Sequence, residues 1–235
     1  MAPQDGDGRI EIFSFKDPNK RQIISRGSSF DFSADDAFAI GKIVPEKDSV
    51  YLLKLKKTKK DDVPADSLFI YNMAEGKLEK LPRVKSFATP EKAGSWIAIH
   101  FEKEKKEKEK KAKDDENIEA DSTAKVDKPK KTDGTKLSVI KLHGSVSYDF
   151  DRVKSYGFSI NGEFLHYVLA EEETLDNAAI YLLNLENGES KLISEGMTSY
   201  SDVTFRQKLN TSLISLLMIL PNPKNLIIHS FLFRH

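Results

Sequence analysis

Apolar and polar residues alternate in short segments along most of this chain, and polar turns separate the segments. Residues 156–168, YGFSINGEFLHYV, show the pattern, because two alternating arms flank Asn161 and Gly162. Alternation over about five to seven residues, bounded by Asn, Gly, Asp or Pro, is typical of strands and hairpins. Asn-Gly pairs favour tight turns, since both residues tolerate a positive φ. The pattern therefore predicts antiparallel strands.

One β unit recurs along the chain. The clearest match is between RVKSF, residues 83–87, and RVKSY, residues 152–156. Two further stretches share the final step, a small residue followed by an aromatic one: Ser29-Phe30 and Ser199-Tyr200. A hairpin-like segment precedes each of these stretches, and a strand rich in aromatic and β-branched residues follows the first three. The sequence thus predicts three full copies and part of a fourth.

Two charged segments make the spacing of the copies uneven. Residues 54–66 and 102–134 are rich in Lys, Glu and Asp, and we expect them to be solvated loops because they bury little apolar surface. The second run could instead serve as a polyelectrolyte arm for a partner. Without these insertions the period approaches the ~40–50 residues of a four-stranded propeller blade. The predicted fold class is all-β, a partial WD40-like β-propeller of about three to four four-stranded antiparallel blades.

The last thirty residues differ from the rest. Residues 206–235 contain no Asp, Glu or Gly, whereas all 37 acidic residues lie in residues 1–205. We therefore assign residues 1–205 to the partial propeller, with the charged insertion at 102–134, and residues 206–235 to an atypical apolar tail. A shifted reading frame would explain this composition. The alternative is a genuine apolar helix and strand that pack on the open edge of the propeller.

Composition narrows the range of partners. Lys plus Arg and Asp plus Glu number 37 each, so the formal net charge is zero and no nucleic-acid partner is expected. The absence of cysteine excludes disulfides and thiolate metal sites. The start of the chain, MAPQDGDGRIEIF, lacks the pattern of a secretion signal, and no apolar run approaches ~18 residues. No membrane association is expected, and the chain as given would be cytoplasmic.

Two segments carry a resemblance to known propellers. FSADDAFAI, residues 32–40, and FSINGEFLHY, residues 158–167, resemble the FSPDGxxLAF signature of Asp-box-like and WD40-like blades. Asp35-Asp36 and Asn161-Gly162 replace its usual Pro-Asp-Gly, and the second copy reads TPEKAGSW. Together with the Lys-rich insertion followed by DSLFIYN, residues 9–205 resemble the N-terminal propeller of S9-family, prolyl oligopeptidase-like serine peptidases of bacteria. Members of that family are usually exported.

The resemblance implies that catalysis belongs to a separate C-terminal α/β-hydrolase domain, with the propeller restricting the access of peptides to it. Such catalysis needs a G-x-S-x-G elbow followed by Asp and His. The stretches beginning at Gly27, Gly94 and Gly196 do not fit this elbow. No catalytic, cofactor-binding or metal-binding residue is therefore predicted, and no cofactor is expected.

Other candidate residues have a structural and a functional interpretation. None of the five histidines has ligand spacing, and His166 on an alternating strand is predicted to be a hydrogen-bonded sheet residue. Trp96 is predicted to lie in the core. Glu171, Glu172 and Glu173 could hold the amino terminus of a peptide substrate, or could simply lie in a solvated loop between two blades.

The predicted function is that of a non-catalytic propeller fragment of an S9-type serine peptidase. Its partners would be peptide substrates or the missing hydrolase domain. The alternative is a stand-alone WD40-like propeller that acts as a protein-binding scaffold. Whether the chain belongs to an enzyme is left open by the sequence.

Overall fold

The computed structural model describes residues 7–14, 17–58, 62–103, 134–170, 178–197, 200–207, 214–219 and 228–229. Within them, sixteen strands and one helix alternate with turns. In chain order the elements are β1 (Arg9–Ser14), β2 (Asp17–Ser25), β3 (Gly27–Phe32), β4 (Phe38–Ile43), α1 (Lys47–Leu55), β5 (Ser67–Asn72), β6 (Lys77–Leu81), β7 (Val84–Ala88), β8 (Trp96–Phe101), β9 (Thr135–Lys141), β10 (Ser147–Phe158), β11 (Phe164–Leu169), β12 (Ala178–Asn184), β13 (Ser190–Met197), β14 (Ser201–Gln207), β15 (Ile214–Ile219) and β16 (Ile228–His229).

The strands form successive antiparallel meanders. Strands β3 to β6 pair in order and make the first blade. Strands β7 to β9 and the first half of β10 make the second, and the second half of β10 with β11 to β13 makes the third. Because β10 belongs to both, these two blades are continuous in strand order from β7 to β13. The chain is a partial propeller, and the predicted all-β class with four-stranded blades is confirmed.

Each blade begins in the same way. Arg26, Arg83 and Arg152 adopt positive φ values of 63°, 60° and 60°, and the first strand of a blade follows each of them. In all three strands the register with the second strand shifts between the first and the third residue after the arginine, as at a β-bulge. The repeated RVKS motif therefore marks a left-handed residue followed by a bulge.

The blades stack through their faces, and the alternation along each strand decides which neighbour a residue contacts. On β8, Ile97 and Ile99 belong to a buried cluster with Phe38 and Ile40 of the first blade. The intervening Trp96 lies in a different cluster, between the second and third blades. Since each sheet has an apolar set on both faces, no blade could bury its surface alone. Trp96, at 7% exposure, is a core residue, as predicted.

Similar apolar clusters fill the other interfaces between adjacent sheets, and we call each such interface a seam. Ile12 and Ile24 of the β1–β2 pair pack with Phe69 of the first blade. Ile180 of the third blade packs with Tyr200, which directly precedes β14. The stack in the described part of the chain therefore runs from a two-stranded sheet, through three complete blades, to the three-stranded sheet β14–β16.

Helix α1 is an element that the sequence analysis missed, and it overlaps the start of the charged segment 54–66, which was expected to be a loop. Its first turn contains Asp48 and its last turn Lys54, which match the helix dipole. The hydroxyl of Ser49 donates to the Glu46 carboxylate at 2.7 Å. None of its residues is buried, and no described helix is long and apolar enough to cross a membrane.

Parts of the predicted domain division fall where the structure gives no description. Most of the insertion 102–134 lies outside the described residues. Two described strands, β15 and β16, lie in residues 206–235, and β14 crosses the proposed boundary. Strand β15 pairs with β14 over several residues, while β16 pairs with β15 at two positions. The assignment of residues 206–235 as non-native sequence stays a prediction.

Candidate functional site

One end of the stacked blades carries the three long connections, and we call it the insertion end. These connections link the second strand of each complete blade to its third strand: residues 44–66, 102–134 and 170–177. The other end carries short turns and is called the turn end. Because loops on a rigid scaffold are the usual carriers of binding residues, the insertion end is the candidate functional surface.

The three arginines with positive φ, Arg26, Arg83 and Arg152, hold the beginning of each long connection in place. The backbone carbonyl of each one accepts a hydrogen bond from the first residue after the second strand: Val44 at 3.0 Å, Glu102 at 2.8 Å and Ala170 at 2.7 Å. The Arg83 guanidinium also donates to the Lys103 carbonyl, at the start of the charged insertion. The three insertions therefore leave the blades from equivalent, hydrogen-bonded positions.

The residues predicted to contact substrate follow the second strand of the third blade, so their segment joins two strands of one blade and not two blades, as was expected for a loop. Glu171, Glu172 and Glu173 directly follow Ala170, whose N–H is bonded to Arg152, and they lie outside the described residues. The Lys42 ammonium and the Asp66 carboxylate, at the two sides of the first insertion, are 3.4 Å apart. Their partial exposure makes this ion pair a weak contribution to stability.

At the turn end, the two FS motifs fold into the same turn. Ser33 donates its hydroxyl to Asp35 at 2.6 Å and accepts from the Phe38 N–H at 3.0 Å. Ser159 donates to the Asn161 side-chain oxygen at 2.9 Å and accepts from the Phe164 N–H at 3.0 Å. The resemblance between the two motifs therefore reflects one hydrogen-bond network, with the serine hydroxyl at its centre.

Neighbouring turns contact one another across the seams. The carboxylate of Asp35 lies 3.2 Å from His143 Nε2 of the second blade, whose ring contacts Phe38. Partial burial alone would raise the pKa of Asp35, but hydrogen bonds from Ser33, the Ala37 N–H and His143 outweigh it and lower the pKa. The Asp35–His143 pair is partly exposed and links the first two blades. We therefore interpret it as a structural contact.

A hydroxyl and an imidazole meet in the second blade, at Thr135 and His100. The Thr135 oxygen is 2.7 Å from His100 Nε2, which is also 2.9 Å from the Val153 carbonyl. A carbonyl can only accept, so Nε2 carries the hydrogen and has no lone pair with which to activate Thr135. Burial, with the nearby Lys85, lowers the pKa of His100 and keeps the ring neutral. The pair is a seam contact without the geometry of an activated nucleophile.

His166 lies on β11, buried at 4% exposure, with its ring 5.0 Å from that of Phe205. Its Nδ1 has no hydrogen-bond partner among the described residues. Burial lowers the pKa of His166 to about 4, against the opposing effect of a hydrogen bond with the Val203 backbone. Among the residues that the structure describes, no three His, Asp or Glu side chains converge on a possible metal site. His166 is a sheet residue in the seam between β11 and β14, as predicted.

Comparison with known proteins returned no matching family model and no matching curated protein. Solved structures match at low identity. An acylaminoacyl peptidase from Pyrococcus horikoshii is 13% identical, with a TM-score of 0.43 over 93% of this chain and 32% of that chain. The β-propeller domain of the trilobed protease from Pyrococcus furiosus is 10% identical, with a TM-score of 0.44 over 94% of this chain and 62% of that domain.

An oligogalacturonate lyase in complex with manganese is 13% identical, with a TM-score of 0.47 over 88% of this chain and 52% of that chain. This chain thus spans about a third of the length of the acylaminoacyl peptidase. Likenesses this distant carry no inference about activity, and the fold follows from the strand pairing and packing of the chain itself. Membership of the S9 peptidase family stays a prediction.

Proposed function

We propose that this chain is a non-catalytic propeller region of an S9, prolyl oligopeptidase-like serine peptidase. In this proposal the insertion end faces peptide substrates or the hydrolase domain of the intact enzyme and limits which peptides reach that domain. The observation that supports it best is the placement of all three long connections at one end of three stacked blades. The assignment to an S9 peptidase rests on the resemblance of residues 9–205 to the propellers of that family.

Glu171, Glu172 and Glu173 are proposed to attract the amino terminus of a bound peptide. They follow β11 at the insertion end, where a peptide would approach the blades. A carboxylate next to an ammonium group gains Coulomb energy that is screened by salt, so the contribution should weaken as the ionic strength rises.

The experiment measures both parts of the proposal on the full chain. We expect no turnover of chromogenic peptide substrates and no labelling by a fluorophosphonate, which reacts with activated serines. Fluorescence polarisation should then show that a peptide with a free amino terminus binds several-fold more tightly than its acetylated form. That preference should disappear in the triple variant Glu171→Gln, Glu172→Gln, Glu173→Gln.

A charge-matched control replaces three glutamates of the turn end, Glu75→Gln, Glu91→Gln and Glu186→Gln, and should keep the preference. Inhibitor-sensitive peptide turnover by the purified chain would refute the non-catalytic assignment. Equal binding of the free and acetylated peptides by the parent chain would refute the role of the acidic residues.

A second candidate, the protein-binding scaffold, has its own support in α1. Tyr51, Leu52 and Leu55 are 62%, 55% and 61% exposed and lie on one side of this helix. Exposed apolar stripes of this kind are typical of contact surfaces for another protein. A scaffold should bind a folded partner through α1, and its binding should not depend on a free peptide amino terminus.

A further inference from the structure

Helix α1 belongs to the first long connection at the insertion end. The strands on either side of it, β4 and β5, pair with each other over all six of their residues, so the two ends of this connection leave one sheet side by side. The backbone N–H of Lys47 donates to the Asp7 carboxylate at 3.0 Å, which satisfies one of the amide groups left open at the start of a helix. The helix is thus part of a connection that begins and ends on one blade.

One side of α1 is both apolar and exposed. Tyr51, Leu52 and Leu55 each expose more than half of their surface, and we call these three residues the α1 stripe. With 3.6 residues per turn they fall within about 100° of one another around the helix. Val50 and Leu53, which are partly buried, lie on the opposite side. The helix therefore directs a compact apolar surface towards the solvent.

Lysines surround the C-terminal half of the α1 stripe. By the helical period Lys54 and Lys56 lie on either side of it, and Lys57 follows directly after them. All three lysines are exposed. No acidic residue occurs between positions 49 and 60, although Asp48 precedes this stretch and two aspartates follow it at 61–62. The stripe is therefore combined with a local excess of positive charge in a chain whose net charge is zero.

The size and the charge of this surface favour a lipid bilayer over a folded protein. Three side chains of this kind expose roughly 400 Å² at most. A standard protein interface buries about 800 Å² on each partner and requires complementary shapes. A bilayer requires neither, because lipids rearrange around individual side chains. Helices with apolar residues on one side and lysines beside them bind at its interface, where tyrosine is also enriched.

We propose that α1 docks on an anionic lipid bilayer. The α1 stripe enters the boundary between head groups and acyl chains, and the three lysines contact the anionic head groups. The sequence predicted no membrane association because it contains no long apolar run, but this kind of docking uses one side of a short helix and needs no spanning segment. Each lysine near an anionic surface strengthens binding by about fivefold, so the contact is reversible and depends on salt. It does not depend on the proposed peptidase role.

Sedimentation of the full chain with large unilamellar vesicles tests the proposal. We expect binding to phosphatidylcholine vesicles that contain about 30% phosphatidylserine, and binding weaker by more than about tenfold to pure phosphatidylcholine vesicles. Raising the salt concentration from about 0.1 M to about 0.5 M should weaken the binding to the anionic vesicles. Equal binding to both kinds of vesicle would overturn the proposal. An absence of binding would overturn it too, and would leave the α1 stripe to a protein partner.

Two sets of variants separate the apolar from the charged contribution. The double variant Leu52→Ser, Leu55→Ser should weaken binding to the anionic vesicles by more than about tenfold, because it removes apolar area that the bilayer would bury. The triple variant Lys54→Gln, Lys56→Gln, Lys57→Gln should weaken it by roughly 100-fold. Binding that is unchanged in either variant would place the contact elsewhere on the chain and overturn the proposal.

A charge-matched control replaces three exposed lysines outside α1, Lys77→Gln, Lys80→Gln and Lys92→Gln, and should bind like the parent chain. Since every changed residue is exposed, urea unfolding should give the same midpoint in the parent chain and in all variants. An equal loss of binding in the control and in the α1 lysine variant would overturn the proposal, because it would show attraction by charge alone.

Hydrogen exchange of the parent chain provides a measurement that does not depend on any variant folding. With anionic vesicles present, the amides of residues 47–57 should exchange more slowly than in their absence, and those of β11 should not change. Vesicle binding without slower exchange in residues 47–57 would overturn the proposal, because the chain would then contact the lipid through another surface.

Discussion

At the scale of single residues, the two FS turns form a natural comparison. The Asp36 N–H donates to the Ser33 carbonyl in one turn, and the Gly162 N–H donates to the Ser159 carbonyl in the other. Both residues have positive φ values, 54° and 69°. A side chain in this region of φ is strained, whereas glycine enters it at no steric cost. The first turn therefore carries strain that the second avoids.

We predict that Asp36→Gly stabilises the protein by about 1 kcal/mol or less, because it relieves that strain. The reverse change, Gly162→Asp, should destabilise it by about 1–3 kcal/mol, since it adds strain and a Cβ atom. That Cβ would lie 2.8 Å from the Ala93 Cβ of the adjacent turn. Urea unfolding followed by fluorescence of the single tryptophan measures both changes.

The control for these two variants is Gly144→Ala. Gly144 does not have a positive φ, and its nearest neighbours are side-chain carbons of Lys141 at 3.7 and 3.9 Å. Its substitution should change stability by less than about 0.5 kcal/mol. Equal effects at positions 144 and 162 would show that the repeated turn geometry does not determine stability.

At the scale of elements, buried polar side chains join one sheet to the next. His100 contacts the backbone of the third blade, and the Tyr156 hydroxyl contacts Ser86 of the second. His166 joins the third blade to β14. Apolar packing brings the sheets together, but such directional contacts favour one lateral alignment, because a shift would leave buried polar atoms without partners.

The His166 seam should make stability depend on pH. Its pKa is about 4 in the folded protein, below the ordinary value of 6.5. The unfolded chain therefore takes up the proton first, and stability falls as the pH drops from about 6.5 towards 4. The full effect over this window is about 3.5 kcal/mol at most, since one pKa unit corresponds to about 1.4 kcal/mol.

Urea unfolding at pH 7 and pH 5 measures this effect. The loss of stability between the two pH values should be smaller in His166→Leu than in the parent chain. It should be retained in His143→Leu, which removes a half-exposed histidine at the turn end. Equal losses of stability in the parent chain and in His166→Leu would show that protonation of His166 does not contribute to the pH dependence.

At the scale of the whole molecule, we predict that the charged insertion can be removed without loss of the fold. Strands β8 and β9 pair from Trp96 with Lys141 to His100 with Leu137, so the two chain ends that it connects lie side by side. Replacing residues 104–133 by a Gly-Ser linker of about six residues should preserve cooperative unfolding. It should raise stability by about 1–2 kcal/mol at most, because a shorter loop costs less entropy to close.

Differential scanning calorimetry measures this change, and a Gly-Ser linker of the same length as residues 104–133 separates the effect of composition from that of length. The equal-length variant should match the parent chain. A large fall in melting temperature in both variants would mean that the insertion packs against the blades and is part of the fold.

Local patterns in the sequence determined most of the strands and the repeat. Alternation, turn residues and charge runs act over a few residues, so they can be recognised without knowing which segments meet. The near-identical segments RVKSF and RVKSY identified equivalent strands before any pairing was known. The turns at the two FS motifs could be recognised for the same reason, since all their hydrogen bonds lie within six residues, whereas the central role of the serine hydroxyl came from the structure.

Only the tertiary structure decided which surfaces are covered. Phe30 and Tyr156 occupy the same place in the repeat, yet Phe30 is exposed beside the two-stranded sheet β1–β2, while Tyr156 is packed against a preceding blade with four described strands. Likewise, α1 presents an apolar stripe to the outside, and the left-handed arginines acquire their role through hydrogen bonds to another strand. Exposure and pairing depend on residues distant in sequence, and a local pattern carries no information about whether those partners are present.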